Sequence, residues 1–318
     1  MGRVAEARVA DEHGRQHVSG TGRDTQEIID SHLHVWRLAT GDYSWNTPSL
    51  GAVHSDFEAH DAATALNSSV VRSAILVQAA DTVGDTERML QIAQDERWVA
   101  GVVASVPLSE PERAEQMLDV WSKQPIVGIR QLVHDSPDAN VLDAASVRRT
   151  CRLLAERGLP LDIPDAWPRL WPAVRRLARD IPELTIVIDH LGKPALGRES
   201  DAQEEQTNRW ERDLFDLARF PNVTAKLSGL GAFLADGQTI SAEAVAPFVG
   251  VALAAFGPER LMFGSDWPVC LAGGSYAEVA DATFAVLAAL SRAESRSVLA
   301  GTARRVYRLP DRALTATA

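Results

Sequence analysis

Three features of the sequence point to one fold class. Eight short runs rich in β-branched residues are apolar almost throughout, amphipathic segments separate them, and no phosphate-cradling glycine loop follows the first run. A parallel strand covered on both faces has no polar side to show, so continuous rather than alternating hydrophobicity marks it. Eight successive βα units with right-handed crossovers predict a single α/β domain, a (β/α)8 barrel of the TIM type. A doubly wound nucleotide fold would carry GxGxxG or GxxxxGK[ST] after its first strand, and neither motif is there.

Taken in order, the predicted strands are Ile28–His34, Arg72–Gln78, Val99–Val106, Ile126–Gln131, Leu159–Ile163, Thr185–His190, Val223–Leu227 and Leu261–Asp266. The helices between them carry start and stop signals. Asp56 is placed to cap a helix over 57–67, and Asp85 one over 86–97. Pro111 opens a third at its first turn, where its missing N–H costs nothing, and the helix runs to Lys123. Ser146–Arg157 ends at Gly158, the residue best able to adopt the left-handed stop. Arg169–Asp180, Thr207–Phe220, Ser241–Phe256 and Tyr276–Leu290 complete the series.

Residues 1–26 are polar and aperiodic and read as a flexible extension, with the barrel over 27–310 and a short tail over 311–318. The chain has 318 residues, 46% of them hydrophobic, enough to bury a large core without disulfides. A net charge of −11 disfavours nucleic acid and anionic membranes, because phosphates would be repelled. No segment is apolar for long enough to span a bilayer, and no secretory h-region opens the chain. Two cysteines, Cys151 and Cys270, fit a reducing cytoplasm and read as buried small hydrophobes. The expected partner is a small molecule.

In such a barrel the chemistry sits at the C-terminal strand ends. Those ends supply His32 and His34 from the first strand, Arg130-Gln131 from the fourth, and Asp189-His190 from the sixth. The seventh gives Lys226 and Ser228-Gly229, and the eighth gives Asp266 followed by Trp267. Residues two apart on a strand share a face, so His32 and His34 can converge on one point. Such a pair suits a borderline divalent metal, or is simply a satisfied polar pair; its place at the mouth with His190 and Asp266 favours the former. Arg130 and Lys193 are candidate holders of a substrate anion, with a structural ion pair as the alternative for Arg130 and a solvated charge for Lys193. Trp267, and less directly Trp36, are candidates for an aromatic wall. No GxSxG elbow is present, which disfavours a serine hydrolase. The loops over 40–55 and 194–210 are expected to shape the pocket.

The segments IIDSHLHVW, GIRQLV, IVIDHLGKP, AKLSGL and FGSDWPV together resemble the amidohydrolase superfamily, amidohydrolase-2 type. They are most similar to its lactonase branch, which includes L-fuconolactonase, L-rhamnonolactonase and 2-pyrone-4,6-dicarboxylate lactonase. The resemblance runs from about Ile28 to Leu309. It implies that His32, His34 and Asp266 surround one divalent ion, zinc or else manganese, with His190 a ligand or a hydrogen bonder to substrate. In relatives of the pyrone type the same side chains work without a required metal. The fifth strand offers Asp162 where many members place a histidine, which disfavours a dinuclear site. Barrels of this branch often pair as homodimers.

The implied reaction is hydrolysis of a small lactone, sugar-derived or carboxylated, to a hydroxy acid. Asp266 would take a proton from water and pass it to the leaving alkoxide. Zinc would lower the water's pKa to about 7, or the three histidines would stabilise the oxyanion directly. Two alternatives stand beside this reading. One is a non-oxidative decarboxylase on the same skeleton, which would want the missing fifth-strand histidine. The other is a catalytically lapsed barrel that only binds a ligand.

Overall fold

In the computed structural model, which describes residues 26–40, 42–193, 201–233 and 239–310, eight parallel strands form one sheet in sequence order. They are β1 (Ile29–Leu33), β2 (Ser73–Val77), β3 (Val99–Ala104), β4 (Ile126–Arg130), β5 (Leu161–Ile163), β6 (Ile186–Ile188), β7 (Val223–Leu227) and β8 (Leu261–Phe263). All eight fall inside the predicted runs. Apart from Gln26, the expected N-terminal extension lies outside the described residues, as do the tail from 311 and residues 194–200 of the second expected pocket loop.

The helices are α1 (Ala59–Asn67), α2 (Val83–Asp95), α3 (Pro111–Val120), α4 (Ala145–Arg157), α5 (Trp171–Asp180), α6 (Asp201–Ala218), α7 (Ala242–Phe256) and α8 (Tyr276–Leu287). Gly158 ends α4 at φ 64°, as predicted, and Pro111 opens α3. Two predicted caps are corrected. Glu58, in a capping box with Asp61, starts α1, while Asp56 accepts from Leu38 N. Thr82 caps α2, and Asp85 is instead buried, holding the Tyr43 hydroxyl at 2.6 Å and the Ala79 amide at 3.0 Å.

The sheet closes into a barrel at the β1/β8 seam. There His34 N donates to Trp267 O at 2.7 Å and Asp266 N donates to His32 O at 2.9 Å, beside a parallel bridge between Leu33 and Trp267. The main chain of the candidate site therefore joins the first and last strands. Ile29, Ile75, Val77, Val103, Val187 and Met262 form a buried cluster with Ala300, Ala303, Val306, Tyr307 and Leu309. The latter group comes from a segment with no counterpart among the predicted elements: α9 (Arg292–Arg296), a π-turn (Ser297–Gly301), α10 (Thr302–Val306) and the residues just after it. No helix among the described residues is long and apolar enough to cross a membrane.

Candidate active site at the barrel mouth

β1 is buried at every position, and its polar residues survive there because each is paired. Asp30 accepts from the amides of His32 at 3.0 Å and Ser265 at 2.9 Å and from the Tyr276 hydroxyl at 3.1 Å. That anchor fixes where β1 meets the chain leaving β8. Burial pushes the Asp30 carboxyl up to about 6.

His32 and His34 bring their Nε2 atoms to 3.0 Å of one another. His34 Nδ1 lies 2.7 Å from Val77 O. A carbonyl can only accept, so Nδ1 carries the proton and Nε2 presents its lone pair to the mouth. His190, just beyond β6, holds its Nδ1 at 2.9 Å from Ser228 Oγ, with its ring 4.5 Å from that of His32. Asp266 sits at φ 62°, a left-handed conformation that turns its carboxylate back over the barrel. Its Oδ1 is 3.4 Å from His34 Nε2 and 3.8 Å from the Nε2 atoms of both His32 and His190. Its Oδ2 is buried and has no hydrogen-bond partner. Three imidazoles thus surround one carboxylate oxygen and leave the other open.

Two glycines permit this closeness. A Cβ on Gly229, itself at φ 61°, would stand 2.9 Å from His190 Nδ1 and 3.1 Å from Asp266 Oδ2. One on Gly264 would meet His32 Cβ at 2.9 Å.

Beneath the histidines lies a buried charge network whose wiring the sequence did not show. Lys226 Nζ reaches Asp162 Oδ2 at 2.6 Å, Asp189 Oδ1 at 3.1 Å and His32 Nδ1 at 3.1 Å. Asp189 Oδ1 is also 3.3 Å from His32 Nδ1, while its Oδ2 accepts from Arg130 Nε at 2.8 Å. Tyr307 donates to Asp162 Oδ2 at 2.8 Å. Two cations face two carboxylates, which is how buried charge is tolerated. The clues in the sequence were a lysine, an arginine and two aspartates inside otherwise apolar strand runs.

The other expected residues occupy distinct places. Arg130 is buried on Asp189, with Nη1 donating to Gln78 O at 3.1 Å, so the structural ion pair is the arrangement seen. Lys193 is at the rim, 3.2 Å from Asp165 Oδ2. Trp267 is buried edge-on to Phe57, with ring centroids 5.2 Å apart. Trp36 is fully buried behind His34 and donates to Ser55 O at 2.7 Å. Cys151 and Cys270 are both buried; burial pushes the Cys151 thiol up to about 12, and burial with nearby Asp266 raises that of Cys270 well above its usual range.

Electrostatics suit the site to a cation. Burial and then Lys226 hold the His32 imidazole well below its usual basicity, and burial lowers that of His190. Neutral rings are the form that ligates metal. Burial alone would raise the Asp266 carboxyl, but His190, His34 and His32 outweigh it and keep the group ionised. His32, His34 and Asp266 form one donor set, and His32, Asp189 and His190 another. Because Asp189 already serves Arg130 and Lys226, the first set is the freer holder. Two nitrogens and a carboxylate with an open oxygen fit a mononuclear zinc-type site.

A barrel with His-x-His ending β1, a histidine after β6 and an aspartate after β8 defines a class of mouth-sited hydrolytic enzyme. The chain belongs to the amidohydrolase family, whose profile matches residues 29–309. It is 34% identical over 293 residues to an L-fucono-1,5-lactonase of Burkholderia multivorans, covering 89% of this chain and 96% of that one. It is 31% identical over 250 residues to an L-fucono-1,5-lactonase of Burkholderia ambifaria, covering 79% and 83%. A crystal structure of an amidohydrolase from Burkholderia multivorans with bound zinc is 33% identical, with a TM-score of 0.81, covering 89% of this chain and 100% of that one.

Proposed function

We propose that this chain is a lactonase that opens a small lactone ring to a hydroxy acid, with Asp266 moving the proton. The observation that carries the reading is the Asp266 carboxylate, with one oxygen enclosed by three imidazoles and the other buried, ionised and open. The similarity to two named lactonases selects a lactone over other carbonyl substrates.

His32 Nε2, His34 Nε2 and Asp266 Oδ1 would hold one divalent ion, zinc before manganese. When bound, such an ion supplies Lewis acidity, lowering the pKa of water beside it to about 7, which is what so acidic a carboxylate needs to take the water's proton. Asp266 Oδ2 orients the water and accepts that proton, then returns it to the ring oxygen as the acyl bond breaks. His190, fixed by Ser228, points its Nε2 into the same space and hydrogen-bonds the carbonyl oxygen as charge develops on it. Asp189 fixes the orientation of His32 from below. The two buried free cysteines accord with a cytoplasmic enzyme.

The test is Asp266→Asn, assayed for acid release from neutral sugar 1,5-lactones. Loss of at least about 100-fold in kcat with a cooperative melt is expected. Retained turnover would take the proton-transfer role away from Asp266.

A further inference from the structure

Asp165, just beyond β5, stands at the mouth with no part in the reaction above. It adopts φ 32°, an unusual conformation for an aspartate that aims its side chain across the rim. Its Oδ2 meets Lys193 Nζ at 3.2 Å, while its Oδ1 is buried with no hydrogen-bond partner. Arg130, His134, His190 and Lys193 all lie close enough to act on it electrostatically, and Lys193 in turn feels Asp266. Asp165 therefore stands within electrostatic reach of His190 and, through Lys193, of Asp266.

The polar balance around Asp165 is lopsided. The two cations expected to hold a substrate anion are already matched, Arg130 by Asp189 and Lys193 by Asp165. Buried side-chain atoms without a partner include Asp165 Oδ1, and near it in the charge network His134 Nδ1. An ionised carboxylate can only accept, so it asks for a donor. Substrate hydroxyls meet that demand, whereas a substrate carboxylate on that side would face Asp165 with Lys193 and Arg130 already paired.

We infer that Asp165 is a specificity-determining residue, accepting a hydroxyl of a neutral polyhydroxylated lactone and turning away lactones that carry a carboxylate on that side. This rests on the lactonase reading and names the substrate class of the same site. Burying a charged acceptor without its donor is costly, so a lactone lacking the matching hydroxyl should be a poor substrate.

The test compares wild type with Asp165→Asn on three kinds of probe: a neutral sugar 1,5-lactone, its monodeoxy analogues, and 2-pyrone-4,6-dicarboxylate. In wild type, one deoxy position should lose about 10-fold or more in kcat/KM relative to the parent lactone. In Asp165→Asn that position should lose far less, because the acceptor that read it is gone, and KM for the parent should rise more than kcat falls. The preference for the neutral lactone over the dicarboxylate should shrink at least about 10-fold. Asp165→Ser, smaller and uncharged, should shift the preference the same way if the asparagine variant melts early. Unchanged preference and identical deoxy losses in both chains would overturn the inference while leaving the lactonase standing, and would make Asp165 only an anchor for Lys193. Wild-type failure on every lactone would overturn both.

Discussion

Asp266, Arg130 and Lys193 show how far single residues could be read. The strand-end rule drew His32, His34, His190 and Asp266 from different strands, and the structure brings them together at one mouth, because the end of a buried strand leaves few other positions for polar side chains. The partner of each charge was less legible. Arg130 ends β4 and Asp189 follows β6, with β5 between them in the sheet, so their 2.8 Å pairing could not be read from sequence neighbours. Removing one member of a buried pair costs about 3–5 kcal/mol, because it strands the other charge. Arg130→Ala should accordingly lower the thermal midpoint by several degrees, as calorimetry would record. An unchanged midpoint with a raised KM would instead put the guanidinium on the substrate.

At the scale of elements, the eight strands were plain because doubly buried strands are apolar throughout, while helix starts depended on side-chain choices that composition leaves open. Asp85 looked like a cap but is a buried anchor, and α6 begins at Asp201, earlier than Thr207, in a polar stretch with no apolar periodicity to announce it. Helices also communicate through surface clusters. Asp143 ties α4 to α5, accepting from Arg148 at 2.6 Å and from Arg176 Nε at 3.0 Å. The Arg176 hydrogen bonds, then those of Arg148, hold its carboxyl below the usual range. A depressed folded-state pKa gives stability that is present above the unfolded value, about 3.9, and is lost as pH falls through the folded one. Asp143→Asn should therefore melt earlier than wild type at pH 7, and the gap should close in melts taken below about pH 4. A gap that stays constant with pH would show that packing, not charge, joins the two helices.

For the whole molecule, the barrel was legible and its floor was not. Tyr307 and the turns before it fill the end opposite the mouth, and Tyr307 reaches Asp162 from there. That segment has neither β-branched runs nor a long amphipathic face, so only the need to cover six inward-facing apolar side chains explains it. Through Asp162 and Lys226 the floor is connected to His32, and the β1/β8 seam at the mouth is closed by the main chain of Asp266 and Trp267. Fold and site are thus one construction: the charge network that steadies the interior also orients the histidines. The most direct measurement is acid release from neutral sugar 1,5-lactones by the purified wild-type chain, followed before and after chelation and again after zinc is restored. Hydrolysis well above the spontaneous rate, lost on chelation and recovered with zinc, is the predicted result. Release no faster than in buffer would contradict the lactonase, and full activity after chelation would contradict the divalent-ion site at His32, His34 and Asp266.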